Sequence, residues 1–176
     1  MKISAAAIAA SLLLAAPSVH AQTAELAGTW RHTGTQQELV IRSVMEQRTT
    51  YSMSGDFRPG GSTVISTRPV PTQVRRDMTL TIRPDGGFDW MSDKTYPESS
   101  SCNVTLRQQR AGILTVSGTR GAFDIRQGSE RASRSCNSNV SQSDRSGRTE
   151  NYTISRSGST LRLNDGTVTW VFTRAR

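Results

Sequence analysis

Met78-Thr79-Leu80-Thr81-Ile82-Arg83-Pro84-Asp85-Gly86-Gly87-Phe88-Asp89-Trp90 is the stretch on which the fold turns. Met78, Leu80 and Ile82 alternate with Thr79, Thr81 and Arg83, the period of a strand with one buried face. Pro84-Asp85-Gly86 then supplies a turn with a mechanism. Proline presets φ, and glycine accepts a positive one. Phe88 and Trp90 resume the apolar face beyond it. The stretch is a hairpin.

A second hairpin stands near the end of the chain, where Leu161 and Leu163 precede Asn164-Asp165-Gly166 and Val168, Trp170 and Phe172 follow on one face. Weaker strands fill the interval. Glu38 to Arg42, Thr50 to Asp56, Cys102 to Arg107, Ile113 to Ser117, Ala122 to Arg126 and the segment around Tyr152 and Ile154 all alternate. Beyond the first residues, no stretch keeps a helical apolar repeat over several turns. The expected fold is all-β: a single antiparallel up-and-down β-barrel of about 8–10 strands. Arg58 to Arg76 and Gln127 to Glu150 are poor in core residues. Residues 127–150, rich in Ser, Arg and Asn, read as a polar, mobile hairpin excursion.

Residues 1–21 read as a signal peptide. Lys2 gives the positive start, Ile3 to Ala16 an apolar run too short to span a bilayer, and Val19-His20-Ala21 the small residues for cleavage before Gln22. The remaining 155 of the 176 residues, 22–176, fit one domain with a modest core. The expected location is periplasmic or secreted, with no membrane-spanning segment. Cys102 and Cys136 are the only cysteines, and in an oxidising compartment a disulfide between them is the default pairing. The formal charge is +8, carried by twenty arginines and two lysines, with acids interleaved along the chain. That pattern describes a solvated basic surface; an anionic envelope polymer is the partner class such a surface would attract.

Leu26-Ala27-Gly28-Thr29-Trp30 opens the domain. A Gly-x-Trp on the first strand resembles the lipocalin-like, or calycin, superfamily, and the exported bacterial lipocalin-like proteins look most similar. They share internal hairpins like Leu80 to Phe88 and endings like Gly158 to Leu163 followed by Phe172-Thr173-Arg174. The resemblance implies a barrel in which an arginine after the last strand packs over the first-strand tryptophan. Arg174 stands in that place, with Arg176 the second choice. Gly28, Trp30 and Arg174 would thus be structural signatures rather than an activity. Avidin-like proteins open similarly, but His32 stands where their ligand-binding Asn is expected. Secreted metalloprotease inhibitors use a related barrel and insert their N-terminus into the protease. The leader Gln22 to Glu25 suits that arrangement, whereas two cysteines in the second half of the chain do not.

Catalytic chemistry finds little material. After cleavage His32 is the only histidine, no Gly-x-Ser-x-Gly elbow accompanies it, and no zinc-ligand set exists, so no catalytic residue, metal or cofactor is assigned. Asp89 and Asp93 are the nearest to a paired carboxylate, but alternation turns Asp89 away from the Phe88 and Trp90 face. Few aromatics are left over for nucleic-acid stacking, so no specific nucleic-acid partner is expected. The leading expectation is a non-enzymatic binding protein for a small apolar or amphipathic ligand in the barrel mouth. Tyr51, Phe88, Trp90, Phe123 and Phe172 are its candidate lining. The alternative is an envelope interaction protein or secreted protease inhibitor, working through loops and the N-terminal leader on a protein partner.

Overall fold

The computed structural model describes residues 19–51 and 59–176, with side chains described over 22–47 and 63–176. A short helix α1 (Val19–Glu25) precedes nine strands: β1 (Gly28–Tyr51), β2 (Pro59–Ile82), β3 (Gly87–Ser99), β4 (Cys102–Ser117), β5 (Arg120–Arg134), β6 (Val140–Asp144), β7 (Arg148–Ser157), β8 (Thr160–Asn164) and β9 (Thr169–Arg174). All pairings are antiparallel. Eight strands close a ring in the order β1-β2-β3-β4-β5-β7-β8-β9, and β6 adds to the outer part of β5. The expected up-and-down barrel is the observed fold.

The Pro-Asp-Gly hairpin forms as its residues dictate. Gly86 N donates to Arg83 O at 3.0 Å and Gly87 N to the Asp85 carboxylate at 2.8 Å, with Gly86 at φ +88°. Beyond that turn, Leu80, Ile82, Phe88, Leu114, Phe123, Ile125, Leu161, Leu163 and Phe172 point inward and are buried. They fill one end of the barrel with side chains. Phe88 and Phe123 meet edge to face with centroids 4.9 Å apart, the arrangement aromatic quadrupoles favour. The outward positions carry Asp89, Asp93, Arg107, Asp124 and Arg162, so the barrel wall shows water a charged face. No helix among the described residues is long and apolar enough to cross a membrane.

Closure rests on a short seam. β1 meets β9 only at Trp30↔Arg174 and Arg31↔Thr173. Trp30 is fully buried, its indole N–H donates to Leu26 O at 2.9 Å, and the Arg174 guanidinium lies 5.5 Å from its ring centre. Arg174 also donates to Ala27 O at 2.7 Å. Gly28, at φ +138°, leaves the room: a Cβ there would stand 2.9 Å from the Arg174 guanidinium. α1 covers this closed end, with the Gln22 side chain accepting from Gly118 N at 3.0 Å and Arg156 donating to Glu25 O.

The two stretches poor in core residues are strands. Arg58 to Arg76 falls mainly on β2, which pairs with β1 without a register break over all 24 residues, although β3 accompanies it only from Arg75 onward. Pro69 and Pro71 are tolerated because they lie on this unaccompanied part, where a missing N–H breaks no ladder. Residues 127–150 do form an excursion, built from the end of β5, β6 and the start of β7. Backbone pairing and ion pairs, not an apolar core, order it. Arg145 meets Glu130 at 2.6 Å and Arg134 meets Glu98 at 2.8 Å. The Cys102–Cys136 disulfide ties this arm to the start of β4 across 34 residues. The expected strand from Thr50 to Asp56, with Met53, lies almost wholly outside the described residues.

We expect Gly28→Ala to destabilise the fold by about 1–3 kcal/mol in urea unfolding, through the strained φ and the displaced guanidinium. Arg174→Ala should cost about 0.5–2 kcal/mol and Trp30→Ala about 3–5 kcal/mol. Wild-type stability in all three would disprove the seam's role.

Candidate functional site

The other end of the barrel is open and lined differently. Alternation carries the inward face onward from the core, but the residue types change from apolar to charged. On β2 the inward series Ile82, Leu80, Met78 continues to Arg76. On β3 the series Phe88, Trp90 continues to Ser92 and Lys94, and on β4 Arg110 and Gln108 take the same face. Glu150 and Tyr152 on β7 and Trp170 on β9 complete a cavity of about 520 Å³. The short strands β8 and β9 end beside it while β1 to β5 run on, so one wall is low. Asp165, in the β8–β9 turn, sits on that low rim.

Aromatic rings make the floor, and cations sit over them. Trp90 and Trp170 are 4% and 9% exposed. The Arg110 guanidinium lies 4.8 Å from the Trp90 ring centre, and that of Arg76 lies 4.9 Å from Trp170. Each cation has a carboxylate. Arg110 pairs with Glu150, which also accepts from the Tyr152 hydroxyl at 2.9 Å. Arg76 and Lys94 both reach Glu38, at 2.7 Å each. Burial pushes the Glu38 carboxyl upward, but bonds from Arg76, Lys94 and Gln36 more than offset it and hold its pKa at about 2. Burial, joined by the neighbouring Glu150, pushes the Tyr152 phenol well above its ordinary value. At neutral pH the site is therefore a fixed set of charges and one neutral phenol.

One polar group at the floor is unmatched. The Trp90 indole N–H is buried and has no hydrogen-bond partner. A buried donor left unpaired costs about 1–3 kcal/mol.

The candidate residues separate by depth. Trp90 lines the cavity. Phe88, Phe123 and Phe172 are fully buried in the packed core beneath it and do not line it, although Phe123 and Phe172 touch the Trp90 ring from below at 5.4 and 6.1 Å between centroids. Tyr51 ends β1 at a position whose side chain lies outside the described residues. His32 stands where β1 leaves β9; its Nδ1 is 2.8 Å from Val171 O and its ring lies against Trp170 and Phe172. Asp89 and Asp93 face outward, paired with Arg83 and Arg107. Sequence reading missed Arg76, Lys94, Arg110, Glu150, Tyr152 and Trp170. The signal was there in parity: each keeps the inward register of its strand. Charge alone had marked most of them as surface.

A second hollow, of about 530 Å³, lies on the outer wall among Thr79, Thr81, Asp89, Met91, Gln109 and Gln127. It follows the sheet's bend at the register shift between Ala111 and Gly112. Trp90 and Arg110 border it as well as the mouth.

The chain matches no family model, no curated protein and no solved structure.

Because the Glu38 pKa is lowered on folding, its contribution to stability is complete above the ordinary carboxyl range and disappears as the pH falls through the folded value. The unfolding free energy should thus decline between pH 4.5 and about 2, the two ends of its shift. Glu38→Gln should flatten that part of the profile; an unchanged acid limb would show that the Arg76–Glu38–Lys94 cluster is not formed.

Proposed function

We propose that this protein is a non-enzymatic binding protein whose open barrel end takes a small amphipathic molecule with a flat apolar portion and at least one hydrogen-bond acceptor. The cavity lined by Trp90 and Trp170, with the Arg110 and Arg76 guanidiniums over their rings, carries this reading. The chemistry follows from the lining. A planar group would pack against Trp90, Trp170 and Tyr152, because aromatic faces bury much area at little conformational cost. The acceptor and other polar substituents would meet Arg76, Lys94 and Arg110. The volume suits a small ligand. Below the floor the core is full, so a long acyl chain has no channel to enter.

The arrangement gives less support to an N-terminal leader working as an inhibitory tongue. Gln22 to Glu25 lie in α1, docked on the closed end, and would have to leave Gly118 and Arg156 first. The signal-peptide reading of residues 1–21 places the binding activity outside the cytoplasm.

Fluorescence titration with 1-anilinonaphthalene-8-sulfonate, a planar amphipathic anion, tests the site directly. We expect saturable binding with quenching of tryptophan emission. Trp90→Ala removes the ring from the cavity lining and should weaken binding about tenfold, or ~1.4 kcal/mol. Arg110→Ala should do the same or more. Binding that is unaffected by both substitutions, or not saturable, would refute the mouth as a ligand site.

A further inference from the structure

The barrel does not use all of β1 and β2. β9 leaves β1 after Arg31, and β3 leaves β2 before Arg75, so the distal parts of these two strands form a ribbon paired only with each other. The backbone parity of that ribbon is fixed at its base. Ala175 N donates to Thr29 O at 2.8 Å, on the side of β1 away from β2. Pairing then runs from Gly28↔Ile82 to Tyr51↔Pro59 with no register shift. Every odd-numbered residue of β1 therefore turns its N–H and C=O away from β2.

The two ribbon edges are guarded differently. On β2 the outward-facing backbone positions include Pro69 and Pro71, opposite Ile41 and Leu39, and a proline offers no N–H to an incoming strand. On β1 the outward-facing backbone belongs to Gln37, Leu39, Ile41, Ser43, Met45 and Gln47. Those positions hold no proline and no charge, the charged Glu38, Arg42 and Glu46 of the strand lying on its other face, and the edge pairs with no strand among the described residues. The same residues point their side chains to the open face of the ribbon. Leu39, Ile41 and Met45 are 69%, 72% and 76% exposed.

We infer that this edge pairs with the β1 edge of a second copy, making a four-stranded β2-β1-β1-β2 sheet across a two-fold axis. A second copy fits because the edge is its own complement. Two like-charged molecules can approach along a face whose side chains are neutral, because the ribbon's Glu46 and Arg68 lie on the opposite face and pair with each other. Centring the axis on Ser43 is the favourable register. It sets Ile41 against Met45 of the other copy and Met45 against its Ile41, apolar pairs of the kind that stabilise sheets. It also keeps Arg42 opposite Val44, whereas centring one residue earlier would stack two copies of Arg42.

Position 43 tests this in both directions. Its backbone N–H takes no part in the β1–β2 ladder, so Ser43→Pro should keep the wild-type circular dichroism and thermal midpoint. At about 50 μM, sedimentation velocity should give a dimer for the wild type and a monomer for Ser43→Pro. Paired residues on the axis sit roughly 5.5 Å apart between Cα atoms, within disulfide reach. Ser43→Cys should therefore run as a covalent dimer without reductant, with Cys102–Cys136 intact by peptide mapping. A monomeric wild type overturns the proposal, as does a Ser43→Pro protein that dimerises like the wild type. A dimer abolished by Ile65→Glu, on β2 and away from the edge, but indifferent to Ser43→Pro would show face-to-face packing and overturn it equally.

Discussion

The seam between the first and last strands is the constraint on which the rest depends. Seven of the eight junctions in the ring join strands near in sequence, and hairpin turns or the short β6 arm bridge them. The eighth joins residue 30 to residue 174 through two paired positions. So short a ladder cannot hold a barrel closed by backbone bonds alone. The Trp30 ring, the Arg174 guanidinium stacked on it and the carbonyl of Ala27 supply the remainder. Their geometry fixes Gly28. With the seam shut, the inward faces of all eight strands converge on one axis, and the core and the cavity above it follow.

Above the core, one alternation serves two purposes. The inward positions are apolar at the closed end of the barrel, then charged and aromatic toward the mouth. The change happens at one level across several strands, between Met78 and Arg76, and between Trp90 and Lys94. Burying Arg76, Lys94 and Arg110 is tolerable because each has a carboxylate and two of them lie over indole rings. The charges are paired over an aromatic floor. Glu38 is held low and Tyr152 high, so neither titrates near neutrality.

Much of the fold was legible because period two is a property of the backbone. The hairpins at Pro84-Asp85-Gly86 and Asn164-Asp165-Gly166 announce themselves locally; the disulfide followed from there being two cysteines, and the packing of Arg174 on Trp30 from the resemblance of the two ends of the chain to lipocalin-like barrels. The ribbon and the 127–150 arm did not, since their strands are ordered by cross-strand pairing and ion pairs while composition reports only missing apolar residues. The site was half visible for the same reason. Trp90 stands on a strand too plainly apolar to miss. Arg110 and Glu150 needed the knowledge that β4 and β7 flank β5 on either side, which no local pattern contains. Phe88, Phe123 and Phe172 were read on the correct face; what the pattern lacked was depth along the barrel axis.

The seam has a consequence in time. A chain made from its N-terminus can form each neighbouring hairpin as it appears, from β2–β3 onward. Trp30, however, cannot meet Arg174 until β8 and β9 have been delivered. Until then β1 is an unfinished border with an aromatic side chain awaiting its cover, and the ring closes only when the last strand reaches the first.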